Sequence, residues 1–540
     1  MSYRPVIESA AQAARRIGRG TAIAIPGNNF RLAPETLLAA IESAHRETGD
    51  PRDVTLYYPM MVEASRGTTG IPGTGFNRLA HRGLLRRVVG GSFSRVPSHE
   101  LNKAIRDEAI EAYNLPMGTL LGIWRAAARG DPGFMTTVGL ETFVDPRLGG
   151  GRLNRRTTED LAEIVEFRGG EYLYYSTPRV DVAIIRASIA DERGNVSFER
   201  DAFVLGALPL AMAAKNSGGQ VIVEVDEIVA AGSLDPRKVV LPGHVVTAIV
   251  RSEISATPSD SGRVSVTKAP DWSYTGERRA PERHVELEVS PRTIIARRAL
   301  RSVPDGAVVN LGAGLPMYDV SEVALWEGAA PNTFRFSIEQ GLFGGWPEAG
   351  GVASNPDAIV DISHVFDYYV GGGIDISILS FAEVDANGSV NVSRFGEMMP
   401  GCGGFVDITQ NAKRLVFCGA FDAGGSVAIE NGRVTVRAHG KVSKFVRQLQ
   451  QLTFNARAKG NRAELIEYVT ERAVFRRAEH GLVVTETAPG IELQRDVIDR
   501  IPFPIAVAAN AREMDASLFR APERAPIELS TANPRSRSAM

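Results

Sequence analysis

A glutamate at the end of a predicted strand is the side chain whose setting best suits chemistry. Residues 333–338 alternate polar and apolar side chains, which predicts a short strand with Glu339 at its end. The missing Cβ atoms of the glycine-rich turn that follows would let a ligand approach the backbone closely. The glycines of this turn are Gly341, Gly344, Gly345, Gly350 and Gly351. The pattern suits a nucleophilic carboxylate, although an exposed glutamate beside a glycine turn is the commoner outcome of such a local pattern.

An internal repeat indicates how the chain around Glu339 is organised. The segment Asp181–Val196 aligns without a gap with the segment Asp375–Val390, at a constant separation of 194 residues. In both copies a buried-strand run leads into a turn that contains Asp and Gly, and a second short strand follows. The chain is therefore predicted to be two related open α/β domains fused head to tail, with largely parallel sheets.

A polar segment is predicted to divide the two domains. Residues 252–288 are rich in Pro, Ser, Gly and charged side chains, which is typical of a linker. We expect an N-terminal domain over residues 1–285, a C-terminal domain that carries the glutamate over residues 286–520, and a flexible tail over residues 521–540. Ligands of such folds bind at the loops that follow the carboxyl ends of the strands.

Composition excludes several classes of function. Lys and Arg number 61 and Asp and Glu number 63, so the net charge of -2 offers no electrostatic attraction for nucleic acid or an anionic membrane. The N-terminus has no apolar core of signal-peptide length, and no apolar run is long enough to span a bilayer. The only cysteines are Cys402 and Cys418, and the eight histidines show no metal-ligand spacing. We therefore expect a cytoplasmic protein without a bound metal.

Two segments carry most of a resemblance to a known family, Asn310–Pro316 and Ser337–Gly345, and the segment Gly401–Lys413 also matches. The first looks like a G-x-G-x-P loop and the second is similar to a catalytic-glutamate segment. Taken in order, the segments resemble the class I coenzyme A transferases, and most nearly the fused, single-chain acetate/propionate CoA-transferase type. The resemblance covers nearly the whole chain except the tail, and weaker matches lie at Gly371–Asp375, Tyr468–Phe475 and Ala488–Leu493.

The resemblance implies a fold and a reaction. The fold would be two NagB/RpiA/CoA-transferase-like domains, the first similar to the α subunit and the second to the β subunit of two-chain relatives. Glu339 would attack an acyl-CoA thioester and carry a glutamyl-CoA thioester between two carboxylic acids, without a metal or redox cofactor. With a reference pKa of ~4.3, this carboxylate would be charged at neutral pH and need no general base. A homo-oligomer, either a dimer or a tetramer, is expected by analogy.

The resemblance also implies roles for other residues. The backbone N–H groups of Gly403 and Gly404 would stabilise the oxyanion, and Met117 would help to frame that site. Lys413 would meet a phosphate of coenzyme A, or else be an ordinary solvated lysine. The loop expected to receive part of the coenzyme A comprises Gly312, Ala313, Gly314, Leu315 and Pro316.

Two positions depart from the family pattern and bear on which acids are used. The family commonly has Gln where this chain has Met117, so a side-chain amide would be lost from the oxyanion site, whereas a backbone N–H would be kept. The loop at residues 26–29 is more polar than the glycine-rich loop expected there. Short aliphatic acids are the expected substrates together with their CoA thioesters.

Two other activities on the same scaffold stay open. An acyl-CoA hydrolase would let water resolve the glutamyl intermediate, and the transferase subunit of a decarboxylase complex would use an acyl-carrier protein in place of free coenzyme A. A nicotinamide-dependent dehydrogenase is disfavoured, because Gly312-Ala313-Gly314 continues as Leu-Pro and spoils the G-x-G-x-x-G pattern.

Overall fold

The computed structural model describes residues 5–27, 32–62, 65–66, 69–70, 74–253, 285–329, 333–348 and 351–522. Most of the predicted interdomain segment and nearly all of the predicted tail lie outside these ranges, so the domain limits stay predictions. Asn28 and Asn29 of the polar loop lie outside them as well. Among the described helices, none combines the length and the apolar character needed to cross a membrane.

The first half of the chain forms a parallel sheet in the strand order β1-β15-β13-β11-β2-β3-β6-β7. Its long central strands are buried along most of their length because helices cover both faces. The strands are β1 Val6–Ile7, β2 Ala22–Ala24, β3 Val54–Tyr58, β4 Ser65–Arg66, β5 Thr69–Gly70, β6 Leu85–Gly90, β7 Glu111–Asn114, β8 Gly133–Thr136, β9 Ala162–Phe167, β10 Gly170–Ser176, β11 Val182–Asp191, β12 Val196–Ser197, β13 Gln220–Val229, β14 Val239–Leu241 and β15 Ala248–Arg251. The helices are α1 Ala10–Ala14, α2 Glu35–Thr48, α3 Glu100–Arg106, α4 Met117–Arg129 and α5 Ala207–Asn216.

The second half forms a mixed sheet in the order β21-β18-β17-β16-β22-β25-β30-β31-β32-β33, whose central strands β17, β16, β22, β25 and β30 are parallel. The strands are β16 Val308–Leu311, β17 Arg335–Ile338, β18 Leu342–Phe343, β19 Trp346–Glu348, β20 Val352–Ser354, β21 Ala358–Ile359, β22 Ile376–Ser380, β23 Glu383–Val384, β24 Val390–Asn391, β25 Arg414–Cys418, β26 Asp422–Ala423, β27 Ser426–Glu430, β28 Arg433–Ala438, β29 Val442–Ser443, β30 Leu465–Val469, β31 Ala473–Ala478, β32 Gly481–Thr487 and β33 Ala506–Glu513. The helices are α6 Pro291–Leu300, α7 Ser321–Trp326, α8 Ile362–Val370, α9 Phe405–Asn411 and α10 Leu493–Asp496.

The two halves share the structural unit that the sequence repeat predicted. In the first copy Asp181 Oδ2 accepts a hydrogen bond from the N–H of Ala22 at 2.9 Å. In the second copy Asp375 Oδ2 accepts one from the N–H of Val308, also at 2.9 Å. In both copies the aspartate precedes a buried parallel strand and ties it to the first residue of the neighbouring strand. The prediction of two related α/β units with largely parallel sheets is therefore confirmed.

The seam between the two sheets is tightly bonded through the loops at their edges. The N–H of Phe93 donates to the carbonyl of Pro400 at 2.7 Å. The N–H of Ile362 donates to the carbonyl of Val204 at 3.0 Å. Helix α4 of the first half packs against α8 and α9 of the second. These contacts bring loops of the first half next to the strand end that carries Glu339.

Candidate active site

Glu339 follows β17 at the carboxyl edge of the second sheet. Strands β17 and β16 run parallel, with Phe336 opposite Val309, so the turn after β17 lies beside the loop after β16. The carboxyl group accepts a hydrogen bond from Gln340, whose Nε2 lies 3.3 Å from Glu339 Oε1. The predicted strand is therefore present, although it begins at Arg335 and not at residue 333, and Glu339 follows it as expected.

Gly404 lies against the carboxyl group of Glu339. A Cβ atom at position 404 would lie 2.5 Å from Glu339 Oε2 and 2.8 Å from Cζ of Phe366, which are distances that real Cβ contacts do not reach. The backbone of Gly404 has φ -85° and ψ 1°, a conformation open to any residue. The requirement for glycine is therefore one of space, because the backbone approaches the carboxylate closely.

Hydrogen bonds across the seam distinguish the predicted oxyanion donors. The N–H of Gly403 donates to the carbonyl of Gly91 at 2.8 Å, and the N–H of Met117 donates to the carbonyl of Gly403 at 2.9 Å. Both N–H groups are thus already used. The N–H of Gly404 has no acceptor in the part of the chain that the structure describes. Of the three predicted residues, only Gly404 has an N–H available for a developing negative charge, and Met117 contributes a buried side chain to the site.

Burial changes the protonation expected for the glutamate. It raises the pKa of Glu339 to about 7, although the hydrogen bond from Gln340 and the positive charge of Arg95 oppose this shift. The expectation that Glu339 is fully charged at neutral pH is therefore wrong, because that expectation used the pKa of a solvated carboxyl group. At neutral pH the protonated acid and the nucleophilic carboxylate are therefore both expected to be populated.

A second buried carboxyl group, Asp407 on α9, was missed by the sequence analysis. Its Oδ2 accepts a hydrogen bond from the N–H of Gly118 at 3.1 Å. Its Oδ1 is buried without a hydrogen-bond partner among the described residues. Burial raises the pKa of Asp407 to about 8, and the negative charge of Glu339 adds to the shift, while the Gly118 bond opposes it. The signal in the sequence is one acidic residue within the apolar start of a helix.

Glu339 and Asp407 share one aromatic neighbour. A Cβ atom at position 118 would lie 2.4 Å from Asp407 Oδ1 and 2.7 Å from Cδ1 of Phe366. The ring of Phe366 therefore packs against both Gly118 and Gly404. An apolar ring beside two carboxyl groups explains why desolvation dominates both pKa shifts.

The predicted coenzyme A loop lies at the same edge of the sheet as Glu339. The N–H of Gly312 donates to the carbonyl of Ile378 on β22 at 2.9 Å. Ser380 Oγ donates to the carbonyl of Ala313 at 3.3 Å. The chain then enters one turn of π-helix at Pro316–Val320, and Leu315 and Pro316 are buried. Gly314 completes the loop with φ +101°, a conformation that favours glycine.

Lys413 lies away from the other predicted site residues. It directly precedes β25, so it stands at the amino edge of the parallel strands, whereas Glu339 and Gly312 follow the carboxyl ends of theirs. Its Nζ pairs with Asp375 Oδ1 at 2.8 Å. The structure does not bring Lys413 to the loop with which it was predicted to act.

Metal ligands do not converge in the described ranges, where no group of three or more His, Cys, Asp or Glu side chains is placed to hold an ion. Cys402 is buried, and burial raises the pKa of its thiol well above the usual value. A buried thiol of this kind is a poor nucleophile. The site thus offers one carboxylate nucleophile, one free backbone donor and an adjoining glycine loop. This set suits acyl transfer through a covalent glutamyl intermediate.

Comparisons with known proteins agree with this site. Residues 7–252 match the family model described as coenzyme A transferase. The caffeate CoA-transferase of Acetobacterium woodii is 36% identical over 524 residues, which cover 95% of this chain and 97% of that one. The acetate CoA-transferase YdiF of Escherichia coli K12 is 36% identical over 90% of each chain. The crystal structure of the acyl-CoA transferase YdiF from E. coli O157:H7, as a thioester complex with CoA, superposes with a TM-score of 0.87 at 34% identity and covers 96% of this chain and 97% of that one. This chain belongs to the coenzyme A transferase family.

Proposed function

We propose that this CoA-transferase moves coenzyme A from a short-chain acyl-CoA to a carboxylic acid by a ping-pong mechanism with Glu339 as the nucleophile. The observation that carries the proposal is the position of Glu339 Oε2 against the backbone of Gly404, whose N–H is free among the described residues. A nucleophile next to an unused donor is what the tetrahedral intermediate of acyl transfer requires.

The first half-reaction moves coenzyme A from the donor acid to Glu339 of the enzyme. The carboxylate of Glu339 attacks the thioester carbonyl, and the C–S bond breaks to give an acyl-glutamyl anhydride and the CoA thiolate. The thiolate then attacks the glutamyl carbonyl of the anhydride, which releases the donor acid as a carboxylate and leaves a glutamyl-CoA thioester. Each step passes through a tetrahedral oxyanion that the Gly404 N–H would stabilise, and such a donor is typically worth ~3 kcal/mol.

The second half-reaction runs the same steps in reverse with an acceptor acid. Its carboxylate attacks the glutamyl-CoA thioester, the released thiolate attacks the acyl side of the mixed anhydride, and Glu339 is regenerated. A carboxylate is exchanged for a carboxylate in each half, so both can be nearly thermoneutral. A raised pKa of the nucleophile also makes its carboxylate more basic, which favours attack by the ionised fraction.

The residues around Glu339 support an acid with an apolar acyl group as substrate. Phe366 and Met117 are buried beside the Gly403-Gly404 backbone, so the acyl group would meet apolar side chains there. Two of the relatives described above are named for caffeate and acetate, which differ widely in size. We propose short aliphatic acids. We also propose a cytoplasmic homo-oligomer, either a dimer or a tetramer, in which the catalytic domain spans residues 286–520.

The test is to trap the intermediate. The enzyme is incubated with acetyl-CoA or propionyl-CoA, reduced with borohydride and digested, and the modified peptide is mapped by mass spectrometry. A glutamyl-CoA thioester would be found as the alcohol at position 339, and the Glu339→Gln variant would show none. The absence of an adduct from the wild-type enzyme across a panel of acyl-CoAs would refute the mechanism.

A kinetic experiment separates transfer from hydrolysis. Formation of the acceptor's CoA thioester and release of free CoA are followed with and without an added acceptor acid. Transfer requires the acceptor for steady turnover and gives the acceptor thioester without net release of free CoA, whereas hydrolysis releases free CoA without an acceptor. An adduct that forms only from an acyl-carrier protein would instead indicate a subunit of a decarboxylase complex.

A further inference from the structure

A lysine that the sequence analysis did not select stands over the carboxyl edge of the second sheet. Lys444 directly follows β29, and its Nζ donates to the carbonyl of Phe381 at 3.3 Å. The same Nζ lies 4.8 Å from the centroid of the Phe381 ring and 3.2 Å from the position of a Cβ atom on Gly419. Phe381 follows β22 and Gly419 follows β25, so the ammonium group caps the carboxyl ends of two neighbouring strands.

This position is continuous with the predicted coenzyme A loop. Ser380, the residue before Phe381, donates from Oγ to the carbonyl of Ala313 at 3.3 Å. A Cβ atom on Gly314 would lie 3.1 Å from the same oxygen. The contact of the loop with β22 and the contact of Lys444 with β22 are therefore made by consecutive residues.

The ammonium group of Lys444 makes fewer hydrogen bonds than it can donate within the described part of the chain. It can donate three hydrogen bonds and donates one, and no carboxylate there lies within ion-pair distance of it. The two carboxyl groups whose charges act on Lys444, those of Glu471 and Asp422, are both paired with Arg472. Burial lowers the pKa of Lys444, whereas the negative charges of Glu471 and Asp422 oppose this shift. A half-buried cation with spare donors is costly to keep unless an anion completes its contacts.

We propose that Lys444 binds the diphosphate of the acyl-CoA substrate, an inference that rests on the proposed CoA-transferase function. Glu339 follows β17 and Gly419 follows β25, and these strand ends are three intervals apart in the order β17-β16-β22-β25. At the usual spacing of neighbouring strands the separation is about 14 Å. An extended pantetheine arm can bridge this gap, with its thioester at Glu339, its middle over the Gly312–Pro316 loop and its diphosphate at Lys444.

The proposal assigns the phosphate contact to Lys444 instead of Lys413. Lys413 stands at the amino edge and is already paired with Asp375, as described above. Its ammonium group is exposed, so a contact there would add little to affinity. Lys444 is partly desolvated, and desolvation strengthens its attraction for a phosphate. A phosphate contact at Lys444 and one at Lys413 thus predict opposite effects for the variants Lys444→Ala and Lys413→Ala.

The experiment compares two thioesters that differ only beyond the pantetheine arm. Acetyl-CoA carries the diphosphate and the nucleotide, and acetyl-pantetheine lacks both. We expect Lys444→Ala to lower kcat/KM for acetyl-CoA about 10- to 100-fold, the value of one hydrogen bond to a charged group. With acetyl-pantetheine the variant should stay within about twofold of wild type. Lys444→Arg should restore part of the loss. Lys413→Ala should change kcat/KM for neither acetyl-CoA nor acetyl-pantetheine.

Each other outcome overturns the proposal. An equal loss of Lys444→Ala on both thioesters would mean that the lysine supports the fold or the reacting centre. A loss confined to acetyl-CoA in Lys413→Ala, without one in Lys444→Ala, would place the phosphates at the opposite edge. Calorimetric binding of CoA and pantetheine to wild type and Lys444→Ala provides the same comparison without turnover. Selective weakening of CoA there supports Lys444 even where no Glu339 adduct is trapped, so failure of the two proposals can be distinguished.

Discussion

Replacing Glu339 with glutamine should stabilise the protein at alkaline pH while it abolishes transfer. In the folded state burial raises the pKa of Glu339 from 4.5 to about 7. The folded state therefore binds this proton more tightly than the unfolded state does, and stability is lost as the pH rises from the unfolded pKa through the folded one. At about 1.4 kcal/mol for each pKa unit, the ionised carboxylate costs the folded state about 3 kcal/mol at pH ~8. The side chain is partly exposed, so this is an upper value.

The assay is chemical denaturation of wild type and Glu339→Gln across a pH series. The free energy of unfolding of the variant should exceed that of wild type by up to about 3 kcal/mol at pH ~8, and by only about 1 kcal/mol at pH ~5. Glu166→Gln, at an exposed position on β9, controls for the loss of one carboxylate. A difference between wild type and Glu339→Gln that does not depend on pH would refute the reasoning, because desolvation of the charged form would then not be its cause.

Three further predictions follow from the same geometry. Gly404→Ala should lower kcat about 100-fold or more with the fold retained, because its methyl group would displace the carboxylate of Glu339. Gly18→Ala is the control and should have wild-type activity, because no atom lies within 4 Å of the added Cβ. Equal kcat values for the two variants would contradict the contact between Gly404 and Glu339. Asp407→Asn should keep both fold and activity near neutral pH, because the pKa of about 8 leaves the aspartic acid mostly protonated and the amide oxygen still accepts from Gly118. Asp407→Leu should cost about 1–3 kcal/mol of stability, because the N–H of Gly118 loses its acceptor. Thermal melts and kcat/KM values of both variants check this. The rate of thioester formation on Glu339 should rise with pH through about 7, because only the carboxylate attacks; rapid-quench rates that stay level from pH ~6 to pH ~8 would exclude the raised pKa.

Local pattern was enough to predict the elements that carry the site. The alternation before Glu339 predicted the strand that became β17, and the glycine pattern predicted the loop at Gly312. The repeat that pairs Asp181 with Asp375 predicted two related α/β units, because two copies of one sequence pattern at a constant separation indicate two copies of one structural unit. These predictions required no knowledge of which distant segments meet.

Long-range contacts decided which groups are free to act. Gly403 and Met117 were predicted as oxyanion residues, but the two halves of the chain use their N–H groups to hold the seam together. The carboxyl group of Asp407 is held by Gly118, 289 residues earlier in the chain. No periodicity in the sequence reports that a donor is already bonded or that a carboxyl group is buried.

The sequence by itself was enough to predict the candidate nucleophile, the glycine loop and the family, because these depend on residue type and on spacing along the chain. The tertiary structure alone decided that the N–H of Gly404 has no acceptor among the described residues, that burial raises the pKa of Glu339 to about 7, and that Lys444 and not Lys413 lies at the carboxyl edge of the sheet. The physical reason is that desolvation, hydrogen-bond satisfaction and the edge of the sheet on which a side chain lies depend on everything that surrounds a group. Most of those surroundings come from segments far away in the chain.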